Sequence, residues 1–201
     1  MLKAMKKQVV FISGGEVFDT RDEFKSWLAG PESDFMLPQP GVEPVSFWSR
    51  NLQEDLGEDF EVLSISMPLK QHARYDEWKI WFEKHIQFFH DEVVMVGWSL
   101  GANFLAKYLS EHTLEQKISS LHLVAGCYGC SGGFDVNNTS AISEQVKDIY
   151  IYHSTDDTVV PFQDAERYTQ DLPSATLVRY EDKGHFLVEH IPTLIENIAL
   201  T

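Results

Sequence analysis

The sequence predicts an α/β fold: a three-layer sandwich in which helices cover both faces of a mostly parallel central sheet of about six strands. Two observations point there. Short apolar or β-branched runs alternate with helical patterns along the chain, and the runs are near-continuously apolar, as strands buried on both faces must be. Length supplies a third. At 201 residues one core suffices, so residues 1–201 are read as a single domain.

The elements follow in order. Val9-Val10-Phe11-Ile12 reads as the first strand, over 9–13, and runs into Gly14-Gly15. Residues 17–44 break the alternation, with Trp27, Phe35, Met36 and Leu37 among Pro31, Pro38, Pro40 and Pro44. They read as an insertion, either a lid over a pocket or a surface excursion. Regularity then resumes. A helix is expected over 47–56, a strand over 60–66, a helix over 74–89, a strand over 93–98 and a helix over 100–111. Strands at 118–125 and 149–153, a helix at 162–172, a strand at 175–180 and a helix at 191–200 complete the pattern.

Composition narrows the function. An apolar fraction of 43%, with five Trp and thirteen Phe, is ample for a packed core. Sixteen basic against thirty-one acidic side chains leave a net charge of −15, which repels phosphate backbones and anionic bilayers. Nucleic acid and membrane are therefore not the expected partners. The basic start, 1–7, precedes an apolar run too short for a signal peptide, and no run approaches the roughly 20 residues of a membrane helix. Cys127 and Cys130 are too few for a disulfide-stapled secreted fold or a four-ligand zinc site. The expectation is a cytoplasmic protein with neither metal nor cofactor.

In parallel sheets ligands sit beyond the carboxyl ends of the strands, so chemistry is sought there. Three such ends carry it. Gly97-Trp98-Ser99-Leu100-Gly101 joins a strand to a helix, as in a nucleophile elbow: the serine occupies a strained turn, and the glycines remove side chains that would collide. Ser99 is then a nucleophile, with the Leu100 amide one donor to a developing oxyanion; otherwise Ser99 merely caps a helix. Ser154-Thr155-Asp156-Asp157 through Pro161 places acids after the fifth strand, Asp157 as the triad acid and Asp156 in the turn, where ordinary turn chemistry is the plain alternative. Lys183-Gly184-His185 follows the sixth strand, making His185 the base. His122 and His153 fall in strands, and His72, His85, His90, His112 and His190 on helices or their approaches. The chain order Ser99, Asp157, His185 is that of one hydrolase architecture and differs from the two best-known serine protease folds.

On these residues, together with Met67-Pro68, Ala73-Arg74, Trp78 and Gly184-His185-Phe186, the chain resembles the α/β-hydrolase superfamily. Within it the chain is similar to the small single-domain serine hydrolases related to retinoblastoma-binding protein nine. The resemblance covers nearly the whole chain. It implies that the second Asp of the pair is the acid. Similar enzymes carry His-Gly-x after the first strand, the third residue donating to the oxyanion; this aligns Gly15 as donor and Glu16 as runner-up, with Ser13 in place of the His. For Gly14-Gly15 a plain tight turn is the alternative. The relative's Leu-x-Cys-x-Glu motif aligns with Phe88, Phe89, His90, Asp91 and Glu92, where Leu and Cys are missing, so pocket-protein binding does not carry over.

The expected function is a serine hydrolase cleaving a small carboxylic ester or related acyl substrate through an acyl-enzyme. The alternatives are a peptidase, a thioesterase or a noncatalytic protein-binding module on the same fold. Cys127-Tyr128-Gly129-Cys130 lacks the helix-start context of a redox pair.

Overall fold

A computed structural model describes residues 6–37 and 46–201. Six strands, β1 (Lys7–Ile12), β2 (Phe60–Ile65), β3 (Glu92–Trp98), β4 (Lys117–Val124), β5 (Val146–Ser154) and β6 (Thr176–Tyr180), form one sheet in the order β2-β1-β3-β4-β5-β6. All five neighbouring pairs are parallel. Between and around them lie α1 (Arg21–Ala29), α2 (Trp48–Leu56), α3 (Tyr75–His85), α4 (Leu100–Glu111), α5 (Ile142–Gln145), α6 (Gln163–Asp171) and α7 (Pro192–Ala199).

Apolar runs become central strands because alternate residues feed opposite cores. In β1, Val10 and Ile12 pack with Trp78 and Phe82 of α3 and with Phe104 and Leu105 of α4. Val9 and Phe11 pack on the other face with Trp48 and Leu52 of α2 and Leu194 and Ile198 of α7. β3 divides the same way, Val93 and Met95 to one side and Val94 and Val96 to the other. Both faces are therefore covered, and the strand periodicity disappears from the sequence.

The differences from the sequence reading have physical causes. β5 starts at Val146, ahead of its apolar run, because Val146 pairs with Ile118 across the ladder. The helix expected to reach 89 ends at His85 and tightens into a 3-10 turn, Ile86–Phe88. Within the 17–44 insertion lies α1, which buries no residue and so shows no apolar stripe to read. Its written signal is the capping box: Thr20 Oγ1 accepts the Glu23 amide while Glu23 accepts the Thr20 amide. Residues 38–44 of the insertion lie outside the described residues.

Strand order reverses direction between β1 and β3, whose neighbours lead away to opposite sides. A parallel sheet opens a crevice at such a switch point, at the carboxyl ends. Here that switch point lies beside Gly14 and Ser99, since Ile12 and Gly97 are paired in register.

Remote from it, His122 of β4 is fully buried, bridging Ser120 Oγ and the Tyr152 hydroxyl, each at 2.9 Å. Burial pushes its pKa down to about 3. An unfolded histidine titrates near 6.5, so above that pH neither state takes the proton. Below it the unfolded chain does and the fold does not, and stability falls as pH drops. This component removes about 2 kcal/mol between pH 7.5 and pH 5. Urea midpoints measured at the two pH values should show that loss, and His122→Gln should remove most of it; an unchanged slope in the variant would exclude His122 as its source.

Candidate active site

Ser99 stands between β3 and α4 as the helix N-cap, with φ 56° and ψ −124°, a conformation that costs an L-residue energy. The turn is possible only because its flanks lack side chains. A Cβ on Gly97 would stand 2.5 Å from Ala102 Cα, and one on Gly101 would stand 2.2 Å from the Ile12 carbonyl oxygen. α4 thus presses directly on the end of β1. The Ser99 amide donates to the Val124 carbonyl at 2.8 Å, fixing the turn to the next strand.

The same stitching continues across the sheet. Ala125 N–H donates to Tyr152 O at 2.8 Å and Thr155 N–H to Tyr180 O at 2.9 Å. The loops beyond β3, β4 and β5 are therefore set relative to one another by the backbone.

These loops bring together three of the residues singled out in the sequence. His185 Nε2 lies 2.9 Å from Ser99 Oγ, and His185 Nδ1 lies 2.8 Å from Asp157 Oδ2. A carboxylate only accepts, so Nδ1 carries the proton and Nε2 is left to receive one from the serine. The Asp157 side chain is buried. Burial alone would raise its pKa, but the hydrogen bond from His185 and the amides of Val160 and Val159 outweigh it and hold the carboxyl below its usual value. Those amides reach Asp157 Oδ1 at 2.9 and 2.8 Å.

Asp156 plays a different part. Its Oδ1 accepts the Ser154 hydroxyl at 2.5 Å and the Gly184 amide at 2.9 Å, while Ser154 Oγ accepts the Lys183 amide at 3.1 Å. The two residues before His185 are thereby gripped from the end of β5. Trp98 adds a third hold, donating its indole N–H to the His185 carbonyl at 3.1 Å. The contacts to residues 183–185 join positions 28 to 87 apart, and no local pattern announces them.

The two donor candidates stand beside the serine. Leu100 opens α4, where the first amides have no intrahelical acceptor and the dipole favours negative charge. Gly14 passes so close that a Cβ on it would lie 2.9 Å from Ser99 Cβ and 3.3 Å from Oγ. Gly15 follows, with a Cβ position 2.5 Å from the Lys70 carbonyl oxygen, and its amide has no acceptor among the described residues. The runner-up, Glu16, is occupied: its amide donates to Lys70 O at 2.7 Å.

The insertion docks on the same flank. Arg74 Nη1 donates to Phe18 O at 2.7 Å, and Phe18 and Phe24 pack on His72. Cys127 and Cys130, in the loop after β4, are joined in a disulfide. The same loop meets this flank at Gly132, whose carbonyl accepts the Tyr75 amide at 3.0 Å.

Among known families, residues 40–193 match the one described as serine hydrolase. A search of curated proteins found no match. Among solved structures, the ydeN gene product of B. subtilis superposes with a TM-score of 0.74 at 19% identity, covering 97% of this chain and 98% of that one. Est1E of Butyrivibrio proteoclasticus gives 0.59 at 13%, covering 96% and 85%. The esterase domain of a Rhodothermus marinus protein gives 0.58 at 11%, covering 99% and 87%. At such identities the likeness speaks for the fold, which is that of the α/β-hydrolases. Most of the chain lies within the family match, and it belongs to the serine hydrolase family.

Proposed function

We propose that this hydrolase cleaves a small carboxylic ester or related acyl substrate through a Ser99–His185–Asp157 triad and an acyl-enzyme. The observation that carries the reading is the unbroken relay from Asp157 Oδ2 through both imidazole nitrogens to Ser99 Oγ, at 2.8 and 2.9 Å. In this mechanism Ser99 Oγ attacks the acyl carbon as His185 Nε2 takes its proton. The tetrahedral oxyanion is held by the Leu100 and Gly15 amides. Collapse expels the alkoxide, which leaves with the proton from His185. Water then repeats the sequence, and the acid departs.

A net charge of −15 supports a substrate that is not strongly anionic. The reading also takes the chain as one catalytic domain, with 17–44 as a lid over the acyl group. Docking of residues 18 and 24 beside the oxyanion loop supports that placement.

A panel of p-nitrophenyl esters, thioesters and aminoacyl amides tests the substrate class, esters being the expected hits. A fluorophosphonate should label the protein stoichiometrically and fail on Ser99→Ala; labelling that persists there would move the nucleophile.

Asp157→Asn should trap the wrong imidazole tautomer and lower turnover by a factor on the order of 10⁴. Asp156→Asn should keep most of it, because an amide oxygen still accepts from Ser154 and Gly184. Melting curves run alongside separate chemistry from folding. Loss with Asp156→Asn and retention with Asp157→Asn, both folded, would reverse the assignment.

The proposal includes a cytoplasmic location. Thiols are kept reduced there, so the Cys127–Cys130 disulfide should open in the cell and alkylation during lysis should modify both cysteines, whereas an oxidising compartment would leave them paired.

A further inference from the structure

We propose that His153 is a positioning residue that holds the triad acid from behind. The inference rests on the reading of Asp157 as the acid that orients His185.

His153 lies on β5, fully buried and four residues before Asp157. Its Nε2 is 3.0 Å from the Val160 carbonyl oxygen. A carbonyl only accepts, so Nε2 carries the ring proton and His153 is the donor. Nδ1 is buried without a hydrogen-bond partner among the described residues. That arrangement is costly for an imidazole and gives no hint of a second structural duty.

Val160 is the residue that matters. Its amide donates to Asp157 Oδ1 at 2.9 Å, beside the Val159 amide at 2.8 Å. His153 holds the other end of the same residue, so Val160 is tied both to the carboxylate and to β5. Pro161 follows and restricts the backbone of Val160 to extended conformations, which leaves its carbonyl few directions to take. The ring itself is held edge-on by Phe162, at 5.8 Å between centroids and 88° between planes, and Arg179 covers Phe162 at 5.2 Å.

A further contact points the same way. His153 Nε2 stands 3.7 Å from Asp157 Oδ2, the atom that accepts from His185. This is too long for a hydrogen bond, yet it places the partial positive N–H against the oxygen that must stay fixed as His185 becomes charged. Removing the donor leaves a buried carbonyl unsatisfied and frees the 157–160 turn to shift. A misplacement of the order of 1 Å at a reacting group costs about a hundredfold in rate.

The experiment uses the full chain, with p-nitrophenyl butyrate for turnover and a fluorophosphonate for the nucleophile. His153→Phe fills the ring's volume without the donor; His153→Gln restores an N–H; His153→Leu substitutes should the Phe variant not fold. Rates are normalised to the folded fraction from melting curves. Expected for the apolar variants are kcat lower by 10- to 100-fold, KM within twofold of wild type and slower labelling of Ser99, with recovery of most of the loss in His153→Gln. Wild-type kcat in a folded apolar variant would overturn the inference. So would equal losses in the Gln and apolar variants, which would mark His153 as packing alone. Labelling that survives Ser99→Ala would instead refute the triad reading on which the inference rests.

Discussion

The left-handed backbone at Ser99 is the constraint around which the rest is arranged. A non-glycine residue at φ 56° costs on the order of 1 to 3 kcal/mol and persists only where its surroundings over-determine it. Here they do. The Ser99 amide is bonded to Val124, its carbonyl accepts the amides of Ala102 and Asn103, and Gly101 lets α4 abut the carbonyls of Ile12 and Ser13. The turn cannot relax without separating β1, β3 and β4, which form the centre of the sheet. Stability of the core thus holds Ser99 in this conformation.

The same constraint sets the electrostatics. With the single residue Ser99 between β3 and α4, the chain puts the unpaired amides of a helix start beside the hydroxyl. The β1–β3 switch brings Gly14 against Ser99. In the proposed mechanism, negative charge developing there would meet fixed dipoles that need no rearrangement. The buried Asp157 carboxyl is held below its usual pKa by the hydrogen bond from His185 and the amides of Val160 and Val159, and in the proposed mechanism it would compensate the charge that the imidazole acquires. A chain of net charge −15 therefore contains a centre organised for both signs.

Around this centre, loops from distant parts of the chain lock onto one another. Asp156 and Ser154 grip the backbone ahead of His185, and Trp98 grips His185 itself. The loop carrying the Cys127–Cys130 disulfide reaches Tyr75 through Gly132, next to Arg74, which in turn holds Phe18 of the insertion. The loop carrying His185 and the flank carrying the insertion are thus each held by contacts from distant parts of the chain.

The sequence by itself determined the fold class and the identities at three strand ends. Continuous apolar runs mark strands buried on both faces, Gly97 and Gly101 mark a turn without room for side chains, and Asp157 and His185 follow strands where a parallel sheet exposes its loops. Such signals are local: each depends on residues within a few positions, so a linear reading can find them. What only the tertiary structure decided are relations between residues far apart in the chain. Glu16 is no free donor because Lys70 claims its amide, α1 carries no stripe because it buries nothing, and Cys127 pairs with Cys130. His153 read as an ordinary strand histidine, since its pattern on β5 concerns burial alone. Its bond to Val160 depends on how the chain returns after the 155–158 turn, and that path is set by packing against Phe162 and the neighbouring strand, which no stretch of sequence encodes on its own.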